Sequence, residues 1–360
     1  MPDFPHNPTL EVNLDAIVRN YERLRGETGG NGCSAAVVKA NAYGLGVSRV
    51  APALYEAGCR DFFVATLDEA MELRKILGGV TIYAFHGCRK GQVKGFLAYN
   101  IIPVLNDIAQ LEYWQDSGKY ALHIDTGMCR LGITSEEVAY LQPATSNLQL
   151  IISHLACANE PSNPMNKQQL ALFRQVMRRF PGVTASLANS SGVFLSKDYH
   201  CDMLRPGCAL YGISPNTTMP NPMENVVTLS APVLQYRHID EDHTTVGYGA
   251  SVVVGKGAVL ATVEMGYADG FLRALGNKAF GVVAGIRVPV IGRVSMDMVT
   301  VDVTKVPAHL RRNNLRILFI GKEHPVDVIA EAAGTIGYEI FTRLGTRVQR
   351  LYPAEHAQKR

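Results

Sequence analysis

Residues 30 to 212 alternate between two hydrophobic patterns. Short runs rich in β-branched residues recur eight times, as expected of strands buried in a parallel sheet. These predicted strands are Cys33–Lys39, Asp61–Thr66, Val80–Phe85, Ile101–Leu105, Tyr120–Asp125, Leu148–Leu155, Val183–Asn189 and Met203–Tyr211. Between them, apolar residues fall at the i, i+3, i+4 spacing of helices, as in Val47–Ala57, Leu67–Leu77, Ile108–Asp116, Glu136–Leu141 and Lys167–Phe180.

Eight strands separated by helices, without long loops, predict a (β/α)8 TIM barrel in the α/β class. The same pattern also fits an open, doubly wound sheet. The glycine fingerprint that usually marks dinucleotide binding in the open form is missing. The barrel is therefore the favoured interpretation.

Beyond residue 221 the pattern changes to strand-like segments with few helices between them. They are Val226–Ile239, Ala258–Met265, Phe280–Ala284, Arg287–Ile291, Val299–Val303, Leu315–Ile320, Tyr338–Leu344 and Arg347–Leu351, and one helical stretch, Pro325–Ala333, interrupts them. We predict a barrel domain at 10–222 and a mainly β C-terminal domain at 223–360, with residues 1–9 packing against the second domain. The Pro/Asn-rich segment Ser214–Met223 is the predicted linker.

Composition narrows the class of protein. The 360 residues are 47% hydrophobic and 19% charged with a net charge of +3, which is typical of a folded enzyme and argues against nucleic-acid partners. No apolar stretch approaches the roughly 20 residues of a membrane span, and the N-terminus has no secretory-signal pattern. Seven cysteines without a C-x-x-C pair suggest neither a disulfide framework nor a metal site. Free thiols suit a reducing cytoplasm.

The carboxyl end of the first barrel strand holds the most informative chemistry. Active sites of β/α barrels gather at these strand ends, and here an apolar strand terminates in Lys39. A low dielectric there would depress the pKa of the amine and leave a nucleophile. Tyr43, Gly44 and Gly46 follow, and the glycines permit close approach to a bulky anion. A surface lysine at a strand end is the alternative.

The octet V-V-K-A-N-A-Y-G around Lys39 resembles the pyridoxal-phosphate attachment site of alanine racemases. Further matching segments run in the same order as in that family, from Leu10 to about Leu351. They are Asp125–Gly132, Ser153–Glu160, Leu187–Gly192, Leu204–Gly212, Met265–Phe271, Gly292–Met298 and Tyr338–Leu344. The resemblance implies interconversion of L- and D-alanine on bound pyridoxal 5'-phosphate by a two-base mechanism, for cell-wall metabolism.

The resemblance also implies a role for individual residues. Lys39 would carry the cofactor and exchange the α-proton of D-alanine, and Tyr267 would be the base for L-alanine. Arg205 would partner the pyridine nitrogen with support from His154, and Arg130 and the backbone of Met296 would contact the substrate carboxylate. The phosphate contacts would be Tyr43, Ser190, Gly207, Cys208 and Tyr338.

Two further expectations concern partners. In this family the residues corresponding to Tyr267 and Met296 reach the cofactor of the other subunit, so a homodimer with shared sites is implied. His123 stands where many members carry a carbamylated lysine that pairs with the arginine. Arg130 must then find its counter-charge elsewhere or hold a small anion such as chloride near His123.

Several alternatives remain open at the level of sequence. The chain could racemise serine or a broader range of amino acids, because the loops that set pocket size are not resolved by sequence. A barrel enzyme that decarboxylates basic amino acids or cleaves β-hydroxy amino acids is disfavoured by M-G-Y-A-D-G and by Arg205. A non-catalytic pyridoxal-phosphate carrier would need no second domain and no second base.

Overall fold

The structure is a computed structural model that describes residues 7–29, 32–114, 117–141, 147–312 and 314–353. It divides into two units. One runs from Asp15 to Glu224, and the other combines the segment ending at Leu14 with the chain from Asn225 onward. The first strand, β1 (Thr9–Val12), belongs to the second unit because it pairs there with two strands from the C-terminal part of the chain.

The unit from Asp15 to Glu224 alternates strands and helices. Its strands are β2 (Cys33–Ser34), β3 (Ala36–Val37), β4 (Asp61–Val64), β5 (Thr81–Ala84), β6 (Ile102–Leu105), β7 (Tyr120–His123), β8 (Leu148–Ile152), β9 (Thr184–Ser186) and β10 (Met203–Leu204). Its helices are α1 (Leu14–Gly26), α2 (Lys39–Tyr43), α3 (Val47–Glu56), α4 (Leu67–Ile76), α5 (Val93–Ala98), α6 (Ile108–Trp114), α7 (Ser135–Tyr140) and α8 (Pro164–Met177), of which α2 is a single turn with left-handed backbone angles.

These strands form a closed parallel barrel. Strands β3 to β9 lie side by side in sequence order, and β10 pairs in parallel with β2. The amide of Asp202 also donates to the carbonyl of Ala185 in β9 at 3.0 Å. Strand β10 therefore lies between β9 and β2, and β2 and β3 are two pieces of the first barrel strand. The predicted (β/α)8 barrel is confirmed.

Side chains that point into the barrel fill it as a packed core. Most strands contribute large apolar residues and two contribute alanines, so the interior holds layers of side chains rather than a channel. The buried members of this cluster are Ala35, Val37, Phe63, Tyr83, Ile102, Val104, Ala121, Leu150, Ile152 and Met203.

The second unit is mainly antiparallel sheet. Its further strands are β11 (Val227–His238), β12 (Thr244–Val246), β13 (Val252–Val254), β14 (Val259–Val263), β15 (Phe280–Val283), β16 (Ile286–Ile291), β17 (Val299–Asp302), β18 (Arg316–Ile320) and β19 (Gln349–Leu351). Its helices are α9 (Val326–Ala333) and α10 (Gly337–Arg343). Strand β11 pairs with β18 through its first half and with β14 through its second, so β14, β17, β16, β15 and β18 close a ring with it.

The structure corrects two predicted elements. Met203–Tyr211, predicted as one strand, is strand only at Met203–Leu204, and Cys208–Tyr211 forms a short 3-10 helix. Tyr338–Leu344, predicted as strand-like, is mostly helix α10. Its buried residues Gly337, Ile340 and Phe341 have the i, i+3, i+4 spacing of a helical face, and Glu339 pairs with Arg343 one turn on. Helix α1 and the β12–β13 hairpin, by contrast, were not predicted. Among the described residues, no helix is long and apolar enough to cross a membrane.

Candidate active site

The barrel residues singled out by sequence lie at the carboxyl ends of its strands. Lys39 comes two residues after β3, His123 is the last residue of β7, His154 comes two residues after β8, Ser190 four residues after β9, and Arg205 directly after β10. Since the carboxyl ends of parallel barrel strands share one face, these side chains belong to the same end of the barrel.

An unusual turn presents Lys39 and Tyr43. The residues Ala40–Tyr43 all have φ between 51° and 55°, a left-handed conformation that costs about 1–2 kcal/mol per residue outside glycine. The Glu69 carboxylate fixes this turn, since one oxygen accepts from the amide of Ala40 and the other from that of Ala65, both at 2.7 Å. Such strain persists where the surroundings over-determine it, and here it places two candidate residues on one turn.

The Lys39 amine has an environment that disfavours its charge. Burial, and then the nearby guanidinium of Arg130, lower the pKa of Lys39 below its usual 10.5, and Glu69 opposes this shift. The Nζ atom lies 5.9 Å from the centre of the Phe85 ring. A larger fraction of neutral, nucleophilic amine is therefore present near neutral pH than on an exposed lysine.

Arg205 is a buried cation at the same end of the barrel. Its Nη1 donates to the carbonyl of Ser186 at 2.8 Å and its Nη2 to the carbonyl of Ser153 at 2.5 Å. Burial lowers the pKa of Arg205 to about 10. Burial, and then Arg205 itself, lower the pKa of His154 to about 3, so His154 is a neutral neighbour of this cation.

His123 is a second neutral histidine in this cluster. Burial, and then Arg205, lower its pKa to about 4. Its Nδ1 lies 2.8 Å from Oδ1 of Asn106, which follows strand β6. His123 therefore adds no positive charge near neutral pH.

The loop that carries Arg130 is organised by Asp125. One Asp125 oxygen accepts from the amides of Gly127 and Met128 at 2.8 and 2.9 Å, and the other from that of Cys129 at 3.0 Å. Arg130 follows directly and is exposed on this chain. Its charge nevertheless lowers the pKa values of both Lys39 and His123.

The predicted phosphate-binding residues of the barrel lie together. The Ser190 hydroxyl oxygen accepts from the amides of Gly207 at 2.9 Å and Ala209 at 3.2 Å. That leaves the hydroxyl hydrogen of this buried serine as a donor for an anion. A side chain on Gly207 would collide with the hydroxyl of Tyr43, so glycine is required for this approach. Together these groups form a site suited to binding an anionic group.

The C-terminal unit carries the other three predicted site residues. Tyr267 begins a short 3-10 turn, which is a loop placement rather than a position in a sheet core. Its side chain is 42% exposed, and those of Met296 and Tyr338 are 54% and 40% exposed.

Three residues important to this geometry, Glu69, Asn106 and Ser186, were not identified from the sequence. The T-x-x-E spacing of Thr66 and Glu69 is a visible signal for the start of a helix, and the Thr66 hydroxyl does accept from the Glu69 amide. The Glu69 carboxylate, however, accepts from the amide of Ala40 in the Lys39 turn. Asn106 and Ser186 are polar residues at the ends of apolar strands, and their partners are distant in sequence. In the described part of the chain, no cluster of three or more histidine, cysteine or acidic residues could hold a metal ion.

Comparison with known proteins gives concordant matches over nearly the whole chain. The profile described as alanine racemase, N-terminal domain, matches residues 12–215, and that of the C-terminal domain matches residues 226–352. The alanine racemase of Rhodospirillum rubrum is 46% identical, with 95% of each chain covered, and that of Rhizobium meliloti is 43% identical, with 95% of this chain and 96% of the relative covered. The crystal structure of alanine racemase from Bartonella henselae with covalently bound pyridoxal phosphate superposes with a TM-score of 0.92 at 37% identity, covering 97% of this chain and all of that one.

Proposed function

This chain belongs to the alanine racemase family, and we propose that it interconverts L- and D-alanine with pyridoxal 5'-phosphate as cofactor. The observation that carries the proposal is the Lys39 amine, placed at the carboxyl end of the barrel with a lowered pKa among other cationic groups. Alanine is an amino acid with a carboxylate, and the cofactor is an anion, so both suit an electropositive site.

The residues present fit pyridoxal phosphate. Ser190, which the Gly207 amide positions, and the Cys208 backbone, with Tyr43 beside them, would hold the phosphate, and Lys39 would bond the aldehyde carbon. Tyr338 is a further proposed phosphate contact. When bound, the cofactor supplies an electron sink that acidifies the α-hydrogen of an attached amino acid.

Arg205 would face the pyridine nitrogen. With a pKa of about 10, its guanidinium still keeps its proton near neutral pH and therefore donates a hydrogen bond without protonating that nitrogen. The two carbonyls of Ser153 and Ser186 hold the guanidinium in place. Neutral His154 supports Arg205 without adding a competing charge. A weaker electron sink disfavours side reactions such as transamination.

Two different side chains would handle the α-proton. Lys39 takes or returns it on the face of D-alanine, which a partly neutral amine can do near neutral pH. Tyr267 serves the face of L-alanine. Arg130 and the backbone of Met296 hold the substrate carboxylate, so the α-carbon lies between the two bases.

The proposal includes a homodimer in which Tyr267 and Met296 act at the partner's barrel. Supporting it, both side chains are about half exposed on one chain although they are large and apolar. We place the enzyme in a reducing cytoplasm, consistent with seven cysteines that are all free thiols. There it would supply or consume D-alanine for cell-wall metabolism.

A chloride ion beside Arg130 and His123 is a further part of the proposal. Arg130 lowers the pKa values of Lys39, His123 and His154, and none of these three neighbours supplies a negative charge to it. Asp125 is already engaged with three backbone amides. Bromide soaking with anomalous diffraction should give a peak near Arg130; a carboxylate in contact with Arg130 and no halide peak would refute this part.

One experiment tests the function and its alternatives together. The holoenzyme is incubated in deuterated buffer with L-alanine and, separately, with serine, lysine and arginine. We expect D-alanine carrying α-deuterium and far slower reaction of the others. Faster turnover of serine would indicate a broader racemase, carbon dioxide release from lysine or arginine a decarboxylase, and no reaction a carrier.

A further inference from the structure

Three segments of the C-terminal unit meet around Tyr267. The amide of Tyr267 donates to the carbonyl of Ser295 at 3.0 Å, and the next amide, of Ala268, donates to the carbonyl of Met296 at 2.9 Å. A side chain on Gly266 would collide with that same Met296 carbonyl. The loop carrying Tyr267 and the segment carrying Met296 are thus in direct backbone contact.

The third segment is the turn that leads into β19. The amide of Gly345 donates to the carbonyl of Asp269 at 3.0 Å, which brings this turn onto the Tyr267 loop. The Arg350 guanidinium stabilises this turn by donating to the carbonyls of Leu344 and Val348, both at 2.8 Å. The turn is therefore a fixed support for the side chain that it presents, Arg347.

Arg347 bridges two carboxylates, one from each of the other segments. Its Nε lies 2.8 Å from Oδ1 of Asp269, and its Nη1 lies 2.7 Å from Oδ1 of Asp297. The Asp269 side chain is only 4% exposed, and its second oxygen accepts from the amide of Gly266 at 2.8 Å. Asp297 is half exposed and adjoins Met296.

We propose that Arg347 is a positioning residue for the reaction, fixing the Tyr267 loop against the Met296 segment through Asp269 and Asp297. The inference rests on the proposed function, since it concerns the base for L-alanine and the carboxylate contact. A planar guanidinium offers N–H groups on separate edges and can bond both carboxylates at fixed spacing, which a lysine ammonium does less well. Backbone hydrogen bonds set the contact, and Arg347 fixes its geometry.

The consequence is specific to one face of the substrate. Loosening the Tyr267 loop should impair removal of the α-proton from L-alanine, whereas Lys39 lies in the other unit and has its own supports. A misplacement of about 1 Å at a catalytic group can lower a rate by about a hundredfold. A loss of fold stability alone would lower the rates with both enantiomers by the same factor.

The test compares α-deuterium exchange into L- and D-alanine by the holoenzyme. We expect Arg347→Met to slow exchange into L-alanine by about tenfold to a hundredfold more than exchange into D-alanine. Arg343→Met is the matched control, because Arg343 forms an exposed i, i+4 pair with Glu339 in the same unit. It should leave both rates unchanged.

A second variant keeps the test decisive if Arg347→Met fails to fold. Asp297→Asn removes the negative charge from the half-exposed arm of the bridge, which weakens it, and leaves the buried Asp269 pair intact. It should show the same preference for L-alanine in a smaller degree, and Arg347→Lys should retain more of the L-alanine rate than Arg347→Met.

Equal slowing with both enantiomers in Arg347→Met and Asp297→Asn, or no slowing, would overturn the inference. Tyr267→Phe, measured in parallel, separates this from failure of the proposed function. If Tyr267→Phe shows no preference between enantiomers, the two-base assignment itself fails. If it does and the Arg347 variants do not, only the role of Arg347 fails.

Discussion

Asn106 fixes the protonation of His123. The Asn106 amide nitrogen donates to the carbonyls of Phe85 and Val104 at 2.8 and 2.7 Å, so its Oδ1 must be the atom that faces His123, 2.8 Å from Nδ1. Nδ1 therefore carries the hydrogen, and Nε2 is a bare acceptor. With the pKa of His123 at about 4, this neutral tautomer persists throughout the neutral range.

The first prediction is that activity does not depend on carbon dioxide. A carbamate forms on a neutral lysine amine, and a histidine whose Nδ1 hydrogen is committed to Asn106 offers no such group. Racemisation rates in bicarbonate-free and bicarbonate-supplemented buffer should agree. His123→Lys, which supplies an amine at the same position, is the control expected to respond to bicarbonate. A wild-type rate that falls on removal of carbon dioxide would contradict the prediction.

Lys39→Ala should abolish the covalent link to the cofactor, because Lys39 is the amine proposed to bond the cofactor aldehyde. The measurement is the visible absorbance of the protein-bound cofactor, together with borohydride reduction and mass analysis of the protein. The overall fold should survive, since Lys39 is only partly buried. A borohydride-reducible adduct that persists in the variant would remove Lys39 from the scheme.

Tyr267→Phe should impair proton removal from L-alanine far more than from D-alanine. The general-base contribution at stake is on the order of 10²–10⁴-fold, and the Lys39 face is untouched. Since Tyr267 is 42% exposed, loss of its hydroxyl should hardly change stability. Primary deuterium isotope effects and exchange rates measured from each enantiomer check this. Mild, equal effects in both directions would argue against two bases.

The sequence predicted the parts of this molecule that are local in the chain. The barrel follows from the alternation of β-branched runs with the i, i+3, i+4 spacing of helices, and Lys39 was found because a strand end is a local feature, whereas Arg205 came from the resemblance to alanine racemases. Tyr338–Leu344 was misassigned because a short apolar run fits either a strand or a helix.

The contacts that hold the site residues in place could not be predicted from the sequence. Asn106 serves a histidine 17 positions away, and Arg347 bonds an aspartate 78 positions away. Only the fold brings such pairs together. The candidate site was therefore predictable in its chemistry but not in what holds that chemistry in place.

Mixing Lys39→Ala with Tyr267→Phe chains should restore activity if the enzyme is the proposed dimer. In a mixed dimer, one site pairs an intact Lys39 with an intact Tyr267 from the other chain, and the second site has neither. We therefore expect recovery up to about half of the wild-type rate per mixed dimer, as shared sites require. Each variant alone is the control. Demonstrated mixed dimers without recovery would place both bases on one chain.

The last prediction concerns acid stability and a histidine outside the site. His324 is buried, with 1% of its surface exposed. It stacks on Phe280 with ring centres 4.0 Å apart, and the Arg287 guanidinium lies 4.5 Å from the centre of that same ring. Burial, and then Arg287, lower the pKa of His324 from 6.5 to about 4.

The unfolded chain therefore takes up this proton near pH 6.5, whereas the folded chain resists it until near pH 4. Between those values the unfolded state binds more protons, so the free energy of unfolding falls as the pH drops. Allowing for solvent screening, His324 should account for a loss on the order of 2 kcal/mol between pH 7.5 and 4. His324→Leu removes the titrating group, so its unfolding free energy should decline less over this range. Denaturant unfolding of the holoenzyme at fixed protein concentration measures both. Parallel pH profiles for the two proteins would exclude His324 as the group responsible.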